Sequence, residues 1–198
     1  MRFQFVFSLF VVTILLFSCG KKKGLFKSGI SFEEGNDFVY QVRSATREYE
    51  FAININGVER HYVSFDWEMP ELDKSGVVFM GDSALNNAMG MHNYMSSGYL
   101  ELEDKTSVWM SRKAFTELKA GKKVLMDMDG SEEVFHMVGT ETYSFGDKED
   151  GVPFDISVII VKNAKGNQEI WVADDSENPL IVRMELDFKI WLTYYSGD

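Results

Sequence analysis

Tyr49-Glu50-Phe51-Ala52-Ile53-Asn54-Ile55-Asn56-Gly57-Val58-Glu59-Arg60-His61-Tyr62-Val63-Ser64-Phe65-Asp66-Trp67 is the stretch on which the fold turns. Two runs rich in β-branched and aromatic residues, Tyr49–Ile55 and Val58–Trp67, flank Asn56-Gly57. That pair suits a type I′ turn, whose central residues need positive φ, so the stretch predicts an antiparallel hairpin with its turn at Asn56-Gly57.

Working outward, the same period-two pattern recurs. Gly76–Gly81 is a short apolar strand. Lys122–Met128 and Glu132–Tyr143 are joined through Asp129-Gly130, a second hairpin signal. Phe154–Val161 and Glu169–Ala173 flank Lys165-Gly166-Asn167. Along Leu180–Tyr194, Leu180, Val182, Met184, Leu186, Phe188, Ile190, Leu192 and Tyr194 share one parity, opposite Arg183, Glu185, Asp187 and Lys189. One face is buried and one is wet. The stretch is long for one strand, which predicts a turn near Asp187–Lys189.

Two segments read as helices. In Ser83–Met95, Ala84, Leu85, Ala88, Met91 and Met95 recur at helical spacing, Asp82 or Ser83 can cap the start, and Gly98 follows the end. Arg112–Ala120 begins after Ser111 and stops at Gly121, with Phe115 and Leu118 facing inward. The sum is about ten antiparallel strands with two short inserted helices: an α+β fold dominated by a curved β-sheet or partly open barrel.

The chain has 198 residues and a formal net charge of −11. Such acidity disfavours nucleic acid, whose binding rests on Lys and Arg neutralising phosphates. The N-terminus has its own organisation. Arg2 supplies a positive start, Val6–Phe17 an apolar run, and the uncharged segment is too short to span a bilayer as a helix. It ends in Leu16-Phe17-Ser18-Cys19-Gly20, which resembles the lipobox of bacterial lipoproteins, although Phe17 is bulkier than that motif usually carries. Cys19 is the only cysteine, so no intrachain disulfide competes for it.

The resemblance implies a signal peptide over 1–18, acylation at Cys19 and stable attachment to a membrane through several acyl chains. A tether then covers 19–35, and one β-rich domain covers 36–198. Lys21–Lys23 follow the cysteine and no acidic residue does until Glu33. In related sorting systems this pattern favours the outer membrane, with the domain facing the periplasm rather than the cell surface.

Near the C-terminus, Ile170-Trp171-Val172-Ala173-Asp174-Asp175, then Asn178-Pro179-Leu180 and a strand, resembles the closing hairpin of periplasmic proteins grouped with the lipoprotein-carrier (LolA/LolB-like) half-barrels. The resemblance covers Ile170–Tyr195 and implies a curved sheet around a helical lid that accepts acyl chains or other apolar cargo. It brings no site residue with it.

Catalytic candidates are few. Val77-Val78-Phe79-Met80-Gly81-Asp82-Ser83 resembles the nucleophile block of GDSL-type esterases, with Ser83 as nucleophile. The downstream Gly-x-Asn-Asp and Asp-x-x-His blocks of those enzymes are missing. No metal-ligand spacing occurs among His61, His92 and His136. Asp127-Met128-Asp129-Gly130-Ser131 starts like a calcium loop but has its glycine at the fourth place instead of the sixth, and Asp147–Gly151 reads as an acidic turn.

Met80, Met89, Met91 and Met95 cluster around the first predicted helix, and flexible thioethers suit adaptable apolar surfaces as well as cores. The expectation is a lipoprotein without enzymatic activity, metal or cofactor. It would bind an apolar or lipid-like ligand, with these methionines lining the site, or an envelope protein partner. The alternatives are a structural or accessory envelope component acting only by protein contacts, and an esterase using Ser83.

Overall fold

A computed structural model describes residues 30–146 and 153–197. The signal segment, Cys19 and Asp147–Gly151 lie outside the described residues. The first half of the chain runs β1 (Asp37–Arg43), β2 (Glu48–Glu59), β3 (Tyr62–Met69), β4 (Lys74–Gly81), α1 (Asp82–Asn87), β5 (Gly90–Met91) and β6 (Gly98–Leu102). The second half runs α2 (Arg112–Lys119), β7 (Val124–Met128), β8 (Ser131–Phe145), β9 (Phe154–Asn163), β10 (Glu169–Ala173), β11 (Ile181–Glu185) and β12 (Lys189–Ser196). All twelve strands form one strongly curled half-barrel sheet, ordered β5-β7-β8-β9-β10-β11-β12-β1-β2-β3-β4-β6. The fold is thus α+β with a curved, mainly antiparallel sheet and two short helices.

The opening stretch forms its hairpin, but the turn is not at Asn56-Gly57. Glu59 pairs with Tyr62, so the turn is Arg60-His61, and Asn56-Gly57 makes a β-bulge where the register shifts between Ile55 and Gly57. Hydrophobic register explains the choice. A turn at 56–57 would set Arg60 opposite Ile53 on the core face and send Val63, Phe65 and Trp67 outward. In the structure Ile55 pairs with Phe65 and Ile53 with Trp67, all four buried. Burying side chains of this size stabilises by about 1.5–3 kcal/mol each, far more than a preferred turn dipeptide contributes. Asp129-Gly130 does form the two-residue turn its sequence marks: both residues have positive φ (55° and 92°), and Met128 pairs with Ser131.

The first predicted helix is much shorter than its spacing suggested. It stops at Asn87, Ala88 leaves helical geometry, and Gly90–Met91 pairs in parallel with β7. A Cβ on Gly90 would lie 3.1 Å from the Asp127 carbonyl oxygen, so this close approach depends on glycine. Met91 and Met95 therefore belong to a strand and a loop, and Gly98, expected to end a helix, opens β6 at φ 110°. Nor does Asp82 or Ser83 cap the helix. Gly81 occupies the N-cap without a side-chain bond, while Asp82 accepts from Asn86 Nδ2 at 2.8 Å.

Two further differences shape the core. In β12, Val39 pairs with Tyr194 but Tyr40 with Leu192, so Thr193 is bulged out and its hydroxyl donates to the Val39 carbonyl. The bulge reverses the parity, and Tyr195 rather than Tyr194 is buried. Ile30 and Phe32, placed by their composition in the tether, are buried, with Phe32 stacked 5.4 Å from Phe38 and tilted against Trp109 at 5.5 Å. Packed structure thus begins ahead of Asn36.

Residues 103–111 cross the concave face as an irregular strap. Ile181 N–H donates to the Val108 carbonyl and Met110 N–H to that of Pro179, each at 2.9 Å. Between them Trp109 bridges to Leu180 and stacks on Phe65. The strap also ties the two sheet edges together, because Met91, in edge strand β5, bridges to Thr106 just beyond edge strand β6. Unpaired edges are thereby reduced to short pieces.

Candidate functional site

Curling the sheet leaves space at one end of the concave face that the core does not fill. A cavity of about 310 Å³ lies there. Its walls come from alternate inward positions of four strands: Tyr40 and Val42 of β1, Tyr49 and Phe51 of β2, Ile181 and Met184 of β11, and Ile190 of β12. Met69 closes it at the end of β3, and Ser107 and Val108 of the strap line it as well. The mouth is formed by the β1–β2 loop Ser44-Ala45-Thr46, the β11–β12 turn at Asp187-Phe188, and the segment Asn93-Tyr94-Met95.

These borders are held in place from outside. Ser44 N–H donates to the Arg47 carbonyl at 2.8 Å, closing the β1–β2 loop. Asn93 donates from both its backbone N–H and its Nδ2 to Asp129, at the tip of the β7–β8 hairpin. The turn the sequence marked at Asp129-Gly130 thus anchors one side of the mouth.

The cavity is apolar inside and sparsely polar at the rim. The Tyr40 hydroxyl is buried and donates to the Ile181 carbonyl at 3.0 Å. Burial, and secondarily the neighbouring Tyr143, hold its pKa well above that of a free phenol. Tyr49, half-buried at the mouth, is shifted in the same direction by burial. Among the described residues that line the cavity the only charged one is Asp187. Both phenols stay neutral at physiological pH, so the inner wall presents no charge to an occupant.

Val108 carries backbone strain, with φ 53° for a β-branched residue. Such a conformation costs about 1–3 kcal/mol and persists only where its surroundings over-determine it. Here the hydrogen bond from Ile181 and the stacking of Trp109 fix the backbone on either side.

The four methionines singled out from the sequence part company. Only Met95 lines the cavity. Met80 and Met91 are fully buried in the core, Met80 accepting from Ser107 N–H at 3.3 Å, and Met89 is packed partly buried against the core. The methionines that join Met95 are Met69 and Met184. Both sit at inward parities legible in the sequence, but parity separates inside from outside and does not separate filled core from hollow.

Ser83 is exposed on the first turn of α1 and its hydroxyl makes no hydrogen bond among the described residues; His61 lies beside Glu59 and His92 beside Asp129. Asp127 is committed to Lys105 at 2.7 Å and to Gly130 N–H, both of which lower its pKa. Among the described residues no group of three or more His, Cys, Asp or Glu side chains is placed to hold a metal ion. No helix among them is long and apolar enough to cross a membrane.

Fold and site together define a curled half-barrel with an apolar cavity on its concave face. Comparison with known proteins gives no match, whether to family models, to curated proteins or to solved structures.

Proposed function

We propose that this protein is an envelope lipoprotein, anchored to the outer membrane through Cys19, whose periplasm-facing domain binds one apolar or lipid-like molecule without transforming it. The observation that carries the binding reading is the 310 Å³ cavity, open at a mouth of loops and walled by Tyr40, Val42, Phe51, Met69 and Met184. Ligand sites are typically concave, largely apolar and about 300–1,000 Å³ in volume. This cavity stands at the lower end, a size suited to a single chain or small ring system. Adaptable thioethers at Met69, Met95 and Met184 favour an occupant of variable shape. The lipobox Leu16-Phe17-Ser18-Cys19 supports the anchor.

Uptake of a neutral apolar dye, N-phenyl-1-naphthylamine, tests the binding reading. The dye should brighten in the wild type and stay dark with Val42→Phe, whose larger ring fills the space. Filling a real cavity spares the fold, whereas overpacking a filled core costs about 1–3 kcal/mol. A Val42→Phe protein that loses stability yet keeps dye binding would place the dye elsewhere and refute the reading. For the anchor, Cys19→Ala should leave the precursor uncleaved and unlipidated; an unchanged mature mass counts against it.

A further inference from the structure

Ser107 is a buried polar residue in an apolar wall. It is 2% exposed, it lines the cavity, and its backbone N–H is engaged by Met80 Sδ. Its hydroxyl, by contrast, has no hydrogen-bond partner among the described residues, yet it is not sealed off as the indole nitrogens of Trp67 and Trp109 are, because Ser107 lines the cavity. The other polar groups around the cavity are spoken for or peripheral. Tyr40 donates to the Ile181 carbonyl, Asn93 is held by Asp129, and the Ser44 hydroxyl donates to the Arg47 carbonyl. Thr46, Tyr94 and Asp187 stand exposed at the rim, and Tyr49 is half-buried at the mouth. The partner of the Ser107 hydroxyl must therefore come from within the cavity, and an occupant with no oxygen of its own leaves the hydroxyl unpaired, at a cost of about 1–3 kcal/mol.

The charge pattern restricts what that partner can be. Among the described residues no Lys, Arg or His lines the cavity, and Asp187 places a carboxylate at its mouth. Of the nearest guanidiniums, Arg43 is paired in two bonds to Glu48, while Arg47 is exposed beyond Thr46 and forms no part of the wall. A carboxylate or phosphate brought inside would be desolvated without a counter-charge, which is far costlier than burying a neutral oxygen.

We infer that the cavity selects a neutral amphiphile carrying one hydrogen-bonding oxygen, an alcohol, ester or ketone, and that the Ser107 hydroxyl pairs with that oxygen and sets the specificity. This rests on the binding reading above and names the ligand class for the same site. The strap gives Ser107 its position: strained Val108 follows it, and Met80 holds its amide from behind. The bound oxygen therefore lies at the strap side of the cavity, with the apolar body against Met69 and Met184.

The test is a titration of the protein, ¹³C-labelled at its methionine methyls, with 1-octanol, octane and octanoate. Met69, Met95 and Met184 line the cavity and report occupancy, while buried Met80 and Met91 do not line it. Octanol is expected to bind more tightly than octane by about 5- to 10-fold and octanoate at least 10-fold more weakly than octanol. Ser107→Ala should erase the advantage of octanol while leaving octane unchanged, and Arg47→Ala should leave all three unchanged. The inference is overturned if octanol and octane bind wild type equally, if Ser107→Ala leaves octanol binding intact, or if octanoate binds as well as octanol. Those outcomes spare the binding reading, whereas no shift with any of the three probes removes both.

Discussion

Removing one hydroxyl at Ser111 should loosen the whole helical side of the molecule. Ser111 is 2% exposed and its Oγ does two things at once: it accepts from Ala114 N–H at 3.1 Å as the N-cap of α2, and it donates to the Ala88 carbonyl at 2.6 Å. Ala88 is the residue where α1 ends, so one oxygen clasps the end of one helix to the start of the next. Loss of an N-cap costs about 1 kcal/mol. Leaving a buried carbonyl unsatisfied costs a further 1–3 kcal/mol, roughly. Ser111→Ala should therefore lower stability by about 2–4 kcal/mol in a urea titration. In a domain of this size that corresponds to a fall of roughly 5–15 °C in Tm. Ser111→Thr keeps the hydroxyl and should lose less than half as much. If Ser111→Ala unfolds within about 0.5 kcal/mol of wild type, the size of an ordinary surface change, the clasp is not what holds the helices together.

Other consequences are equally open to measurement. Gly76→Ala would place a Cβ 2.3 Å from the Gly98 carbonyl oxygen and 2.9 Å from Trp67 Nε1; since the first is backbone, β6 must move off β4, and faster amide exchange over Gly98–Leu102 is expected. Asp129→Gly keeps the left-handed turn position but removes the carboxylate that holds Asn93, so the Asn93 amide should exchange at least ~10-fold faster while global stability changes little. Burial pushes the Tyr143 phenol up to about 12. The unfolded chain, with an ordinary phenol near pH 10, deprotonates first, so stability is full below that pH and declines as pH rises toward 12. Tyr143→Phe should flatten that alkaline decline, at a neutral-pH cost of about 1 kcal/mol for the lost bond to the Leu192 carbonyl; an unaltered alkaline slope would clear Tyr143 of the effect.

Much of the fold was legible because side-chain alternation is a local signal. The β7–β8 hairpin, the β9–β10 hairpin, the split of Leu180–Tyr194 into β11 and β12, and α2 with its Ser111 cap all lie where the pattern puts them. The failures have a common cause, which is tertiary pairing overriding a local preference. Asn56-Gly57 prefers a turn and forms a bulge, because the apolar sets of β2 and β3 meet only when the turn moves to Arg60-His61. Ser83–Met95 has helical spacing, yet Gly90 and Met91 are drawn into parallel pairing with residues far along the chain. Edge strands as short as β5 carry too few residues to alternate. The cavity was less legible still. Met95 was identifiable by composition, but Ser107 gave no signal, since its importance lies in the partner it lacks once Met80 has taken its amide.

Binding of an apolar guest requires the concave space to be open and apolar rather than filled or wet. A crystal of the protein held under xenon pressure tests this directly, because dry apolar cavities take up xenon and polar ones hold water instead. We expect one strong xenon site between Tyr40, Met69 and Met184, lost in Val42→Phe. Side chains collapsed into the space, or a chain of ordered waters running through it, would contradict the claim that this half-barrel is built to hold an apolar guest.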